Sequence, residues 1–97
     1  MKAAKSKPEH VLRLYVAGAS ERSTRAIQNA KQICNEYLEG RYDLEVVDVL
    51  QQPTLAKDDQ ILAVPTLIKR LPAPLRRIIG DLSNREVVLV GLDLKRK

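Results

Sequence analysis

The chain has 97 residues, 17 basic and 12 acidic side chains and a formal net charge of +5, and it contains no Trp and no Phe. This length fits one domain with a small core, because a short chain buries a smaller share of its surface. One Cys and one His exclude an internal disulfide framework and a zinc site built from these residue types alone. No apolar run approaches the ~20 residues of a membrane helix, and residues 1–8 lack the apolar stretch of a secretion signal, so we expect a cytoplasmic protein.

Much of the basic excess lies at the two ends of the sequence. Six of the 17 basic residues fall within residues 1–7 and 95–97, which leaves 11 basic against 12 acidic residues between them. We therefore predict a single domain, residues 1–97, with flexible basic tails at residues 1–8 and 95–97. Nucleic-acid binding through these tails is an alternative that predicts weak and steeply salt-dependent affinity.

The first half of the chain predicts a βαβ unit. Apolar side chains alternate over residues 11–17, as in a strand, and Gly18 follows. From Ser20 or Ser23, apolar residues recur every three or four positions up to Gly40, which is typical of an amphipathic helix. Residues 44–50 are rich in β-branched side chains and predict a second strand, parallel to the first.

The second half predicts one helix and two further strands. Pro53 suits the first position of a helix over residues 54–62. Residues 64–68 and 75–80 are strand-like, and the stiff Pro72-Ala73-Pro74 turn lies between them. The fold class is therefore α/β.

The last stretch carries two conflicting signals. Ser83 followed by Glu86 is a capping-box pattern and predicts a helix. The following residues are β-branched and place Val88, Val90, Leu92 and Leu94 on one strand face, whereas a helix would align Val87, Val90 and Leu94. Either tertiary packing selects one structure, or two packings of the C-terminal half lie within a few kcal/mol of each other, as in fold-switching proteins.

The element order is that of a thioredoxin-like domain, but the redox pair is missing. Residues 19–23, where such a domain carries Cys-x-x-Cys at a helix start, contain no Cys. We expect Cys34 to be a core residue, and a one-thiol redox protein using Cys34 is the enzymatic alternative. We also expect His10 and the Asp58-Asp59 pair to face water, and we predict no enzymatic activity, no cofactor and no metal site.

One group of residues has a functional pattern, the basic cluster. It comprises Lys69, Arg70, Arg76 and Arg77. A hairpin at the proline turn would bring both pairs to one sheet edge, either as a solvated edge that resists aggregation or as a docking surface for an acidic protein or nucleic acid. Few aromatic residues are present, and Asp43, Glu45 and Asp48 lie on a strand taken to be adjacent, which argues against nucleic acid.

The motif order resembles the KaiB family of bacterial circadian clock proteins over residues 11–94. The most specific segments are residues 76–86, RRIIGDLSNRE, and residues 90–94, VGLDL. The resemblance implies a thioredoxin-like fold, an alternative packing after about Leu50, and a dimer or tetramer of the alternative form. It also implies a regulatory protein that binds a KaiC-like ATPase, with KaiA or a SasA-like histidine kinase as further partners, in circadian timing or stress adaptation.

The resemblance also assigns roles to residues of this chain. The family's basic binding positions match Arg25, Lys69, Arg76 and Arg77, to which the basic cluster adds Arg70. Its switch-tuning positions match Gly91 and Asp93. Because X-Pro isomerisation is slow, Pro65, Pro72 and Pro74 are candidates for gating the switch.

The chain also departs from the cyanobacterial pattern. Glu45 and Gln60 replace lysines, and His10 replaces a tyrosine. A non-cyanobacterial or divergent member, including one that acts in stress response without binding KaiC, is therefore an alternative.

Overall fold

The computed structural model describes residues 8–94, so the tails predicted at residues 1–8 and 95–97 lie outside the described residues except for Pro8. Within these residues the elements follow the order βαβαββα. Their bounds are β1 His10–Val16, α1 Glu21–Tyr37, β2 Tyr42–Asp48, α2 Pro53–Asp58, β3 Thr66–Leu71, β4 Arg76–Ile79 and α3 Arg85–Gly91.

The four strands form one sheet in the order β2-β1-β3-β4. Strands β1 and β2 are parallel, whereas β3 is antiparallel to β1 and to β4. The α/β class and the initial βαβ unit are therefore confirmed. Helix α2 ends at Asp58, short of the predicted Leu62, because Gln60 turns the chain with a φ of 56°.

The sheet has a core on each face. Alternation along β1 sends Leu12, Leu14 and Val16 into the larger core, which also contains buried residues of α1 and α3. Tyr15 points to the opposite face and packs with Val47 and Ile68 beneath α2. Helices α1 and α3 thus cover one face, and α2 covers the other.

Residues 85–91 are helical in this structure, so tertiary packing has selected the helix over the strand. The helix begins one residue later than the capping box predicts, because the side chain of Asn84, not Ser83, accepts a hydrogen bond from the Val87 backbone N–H at 3.2 Å. Two members of the predicted stripe, Val87 and Val90, face outward and are 55% and 80% exposed. The buried residues are Val88, Leu89 and Leu92.

The end of α3 is closed by a Schellman motif. The backbone N–H of Asp93 donates to the carbonyl of Val90 at 3.1 Å, and that of Leu94 donates to the carbonyl of Leu89 at 2.9 Å. Asp93 has a φ of 59°, the left-handed conformation that this position requires. Leu94 packs back on the larger core, as a hydrophobic residue after such a motif commonly does.

Candidate docking site

The hairpin of β3 and β4 brings the two basic pairs side by side, as predicted, but only β4 is an edge strand, and the cluster is divided between the two faces of the sheet. Lys69 lies opposite Arg76, and Ile68 lies opposite Arg77. Because side chains alternate along a strand, Lys69 and Arg76 project on the α1 and α3 face, whereas Arg70 and Arg77 project on the α2 face. The four cations therefore do not form one continuous surface.

Lys69 does not lie on the exposed edge in this fold. It is only 2% exposed, and its Nζ donates to the backbone carbonyl of Pro72 at 3.0 Å. The expectation of an exposed docking lysine is thus wrong for this structure. The long aliphatic stem explains the burial, because it packs like an apolar side chain while the ammonium group bonds the turn.

Arg70 and Arg77 hold the end of α2 against the sheet. Arg70 forms an ion pair with the carboxylate of Asp59. Arg77 donates to the backbone carbonyls of Asp59 and Gln60, at 2.6 and 3.3 Å. A guanidinium group is well placed there, since the carboxyl end of a helix carries partial negative charge.

The sequence suggested that Asp59 faces water, and this expectation is wrong. Asp59 is the centre of a polar network. Its carboxylate also accepts from the Tyr15 hydroxyl and from Arg13 at 3.2 Å. Burial by itself raises the pKa of Asp59, but the hydrogen bond from Tyr15 and the charges of Arg70 and Arg13 outweigh it and hold the pKa below its usual value. Burial and the Asp59 carboxylate raise the pKa of Tyr15.

Like Arg77, Arg76 is an exposed member of the basic cluster. Among residues 8–94 it forms no side-chain hydrogen bond or ion pair with another residue. Beside it on the same face, Ile78 lines an apolar groove of about 420 Å³ with Glu86, Val87, Val90 and Gly91. The spacing of Val87 and Val90 was a signal for this groove, but only the structure shows that they face outward.

Arg25 lies on α1 and is tied to the loop before α3. Its Nε donates to the carboxylate of Asp81 at 3.0 Å, and Asn29 donates to the Asp81 backbone carbonyl at 2.8 Å. Hydrogen bonds from Ser83 and from Arg25 lower the pKa of Asp81. Arg25 therefore lies apart from the basic cluster and stabilises the approach to α3.

The acidic residues of β2 lie at the far edge of the sheet from the basic cluster, because β1 and β3 separate β2 from β4. The prediction that this strand is adjacent is wrong. Glu45 pairs with Arg13 at 3.0 Å, and Asp48 accepts from the backbone N–H groups of Gly18 and Leu50. These acids therefore do not lower the positive charge of the β4 edge, and they no longer argue against nucleic-acid binding there.

The predicted switch residues lie at the boundaries of β3 and α3. Pro65 precedes β3, Pro72 and Pro74 lie in the hairpin turn, and each follows a cis peptide bond. Gly91 is packed tightly: a Cβ built there would lie 2.1 Å from Cδ1 of Ile78. The alternative packing itself stays a prediction.

The site lacks the chemistry of a thioredoxin. Cys34 is buried, as predicted, and burial raises the pKa of its thiol to about 12. At the start of α1, Ser20 caps the helix by accepting from the backbone N–H of Ser23. Within residues 8–94 no group of His, Cys, Asp and Glu side chains is arranged to hold a metal ion. No helix in this part of the chain is long and apolar enough to cross a membrane.

These features define a thioredoxin-like domain that carries no Cys-x-x-Cys pair at the start of α1. Its distinctive surface is the partly apolar, partly basic edge at β4. The fold resembles the N-terminal domain of Synechococcus elongatus SasA, with a TM-score of 0.71, 24% identity and coverage of 93% of this chain and 86% of that one. It also resembles mitochondrial thioredoxin 3 of Saccharomyces cerevisiae, with a TM-score of 0.70, 18% identity and coverage of 89% and 78%.

Sequence comparison gives the family. The KaiB domain model matches residues 13–94. The chain is 57% identical over 90 residues to the circadian clock oscillator protein KaiB of Nostoc punctiforme, covering 93% of this chain and 86% of that protein. It is 56% identical over 84 residues to the circadian clock protein KaiB3 of a Synechocystis strain, covering 87% and 82%. The chain belongs to the KaiB family.

Proposed function

We propose that this protein is a non-enzymatic regulator that binds a KaiC-like ATPase in circadian timing or stress adaptation. The observation that carries the proposal is an exposed cation, Arg76, beside an apolar groove at an open sheet edge of a KaiB-family domain. Exposed apolar surface rimmed by charge is typical of a protein-binding site. The buried Cys34 favours this function over the redox alternative.

The docking surface in this proposal is narrower than the basic cluster. Arg76 steers an acidic partner surface, and the groove lined by Val87 and Val90 supplies the apolar contact. Arg25, Arg70 and Arg77 keep part of their guanidinium groups exposed but are engaged in contacts within the domain. They contribute to binding mainly by holding the surface in shape.

Further partners follow from the same family membership. KaiA or a SasA-like histidine kinase would meet this protein on the ATPase, and the likeness to the SasA N-terminal domain supports competition between two similar folds for one site. Self-association into a dimer or tetramer belongs to the alternative packing. We propose a cytoplasmic location for all these forms.

The test is co-elution with the cognate KaiC-like ATPase in the presence of ATP. Arg76→Glu is expected to weaken the complex by about tenfold or more, because it places like charges at the contact. Lys31→Glu on the exposed side of α1 makes the same change in net charge and is expected to leave binding unchanged.

Two results would overturn this proposal. Absence of any complex with the wild-type protein removes the partner, and equal losses in Arg76→Glu and Lys31→Glu show that only overall charge matters. A separate measurement addresses the redox alternative: in the folded protein Cys34 should not react with a thiol reagent at pH 8, and should react once urea unfolds the chain.

A further inference from the structure

A second pocket lies on the α1 and α3 face, at the opposite end of β3 from Pro65. It has a volume of about 300 Å³, and it is lined by His10, Leu38, Arg41, Lys69, Pro72, Ala73, Asp93 and Leu94. Neither the proposed docking groove nor the Asp59 network includes it.

Two buried nitrogen groups in this pocket lack full hydrogen bonding. An ammonium group has three donors, and the bond to Pro72 uses one donor of Lys69. No carboxylate in residues 8–94 lies within 4.0 Å of Lys69. The Nδ1 atom of His10 is buried and has no hydrogen-bond partner in the described part of the chain. A buried charge without a counter-charge is costly, so Lys69 indicates a missing anionic acceptor. The Nδ1 atom of His10 is a further donor to such an acceptor when it carries the proton.

The other charged groups around the pocket leave Lys69 as its buried charge, although the Asp93 carboxylate opposes an anion. Arg41 pairs with Glu9 at 3.0 Å and donates to the backbone carbonyl of Tyr37, so this pair is neutral overall. Asp93 also lines the pocket, but it is exposed and makes no ion pair with Lys69. The interior charge is therefore that of Lys69.

Regular strand alternation directs Lys69 into the α1 and α3 face, and a β-bulge follows it in β3. The register between β1 and β3 shifts at this point, with Val11 opposite Leu71 and Leu12 opposite Lys69, so that Arg70 is the extra residue of a β-bulge. A bulge locally disrupts the strand pairing and bends the chain. Here it lies directly beside the proline turn that receives the ammonium group.

We propose that this pocket is a binding site for a small tetrahedral oxyanion of the size of phosphate. Lys69 supplies the charge and two donors, and His10 supplies a third donor from Nδ1–H. Leu38 and Leu94 form its apolar wall. The ligand would connect the start of β1, the proline turn and the residue after α3.

The experiment is a titration of the full ¹⁵N-labelled chain with inorganic phosphate, against sodium chloride of equal ionic strength. We expect saturable shifts confined to the amides around His10, Arg41, Lys69 and Ala73. Lys69→Gln should weaken binding by about tenfold or more, since it removes a charge-assisted contact. Lys57→Gln removes an exposed cation from α2, on the opposite face of the sheet, and should leave the affinity unchanged.

Other outcomes would overturn the proposal. Shifts that do not saturate, or that spread over exposed lysines and arginines, indicate adventitious ion binding only. Acetate binding more tightly than phosphate contradicts a tetrahedral ligand. If Lys69→Gln does not fold, His10→Gln keeps the proposal testable: it should weaken phosphate binding severalfold, and an unchanged affinity refutes the assignment of His10.

Discussion

Gly91 and Ile78 offer a direct test of how α3 is fitted to the sheet. Helix propensity alone predicts that Gly91→Ala stabilises the helical form by about 1 kcal/mol. The structure opposes this gain, because the new Cβ would lie 2.1 Å from Cδ1 and 3.3 Å from Cγ1 of Ile78. Cδ1 is the end of a flexible side chain, so Ile78 can move, at a cost of about 0.5–1.5 kcal/mol for leaving its rotamer. The two effects nearly cancel.

Removing the obstructing methyl group should restore the gain. Ile78→Val lacks Cδ1 and by itself costs about 0.5–1.5 kcal/mol. In that background Gly91→Ala should stabilise by up to about 1 kcal/mol, which corresponds to a coupling energy of about 0.5–1.5 kcal/mol between the two sites. The assay is urea unfolding of the wild type, both single variants and the double variant, at concentrations where sedimentation shows a monomer.

Equal effects of Gly91→Ala in the two backgrounds would refute the proposed coupling between Gly91 and Ile78. If Gly91→Ala stabilises the wild type and the Ile78→Val background by the same amount, to within about 0.3 kcal/mol, the two residues are independent. The close approach would then not limit α3, and helix propensity alone would govern position 91.

Three further predictions concern the ends of α3 and the Asp59 network. Asn84→Ala should lower the free energy of unfolding, measured with urea, by about 1 kcal/mol through loss of the cap, whereas Ser83→Ala should have little effect. A larger loss in Ser83→Ala than in Asn84→Ala would show that Ser83 is the capping residue. Asp93→Gly should stabilise the helical form by about 0.5–1 kcal/mol, since glycine adopts a φ of 59° without cost, and Asp93→Ala measured by the same method should not. Asp59→Asn should destabilise by about 1–3 kcal/mol at pH 7. The pKa of Asp59 is lowered in the folded state, so its contribution to the free energy of unfolding is complete above the unfolded pKa of about 3.9. This contribution is lost as the pH falls through the lower folded pKa. The unfolding curves of Asp59→Asn should therefore change less than those of the wild type between pH 5 and pH 3.

The βαβ unit and the hairpin were predictable from the sequence because their signals are local. Alternation in residues 11–17 and the three-and-four spacing after Ser20 each report a buried face directly. The choice between strand and helix after Ser83 was not predictable, since it depends on packing of Val88 and Leu92 against distant residues of the sheet and α1.

The candidate site was predictable in position but not in orientation. The proline turn predicted a hairpin that brings Lys69 or Arg70 near Arg76 or Arg77, and the structure places Lys69 opposite Arg76. Charge alone could not show that Lys69 would be buried. Its aliphatic stem packs as an apolar group, and its ammonium group donates to the backbone carbonyl of Pro72. Asp59 was missed for a related reason: its partners Arg13 and Tyr15 are more than 40 residues distant in the sequence.

The contacts of Arg70 and Arg77 with the end of α2 restrict how this edge can change during evolution. A substitution at either position alters the anchoring of a helix as well as the charge offered to a partner. Arg76, which makes no such contact among residues 8–94, can vary with little effect on folding. Divergence in partner preference among homologues should therefore accumulate first at position 76 and in the groove beside it. A change at position 70 breaks the ion pair with the Asp59 carboxylate, and a change at position 77 removes the donor to the backbone carbonyls that end α2.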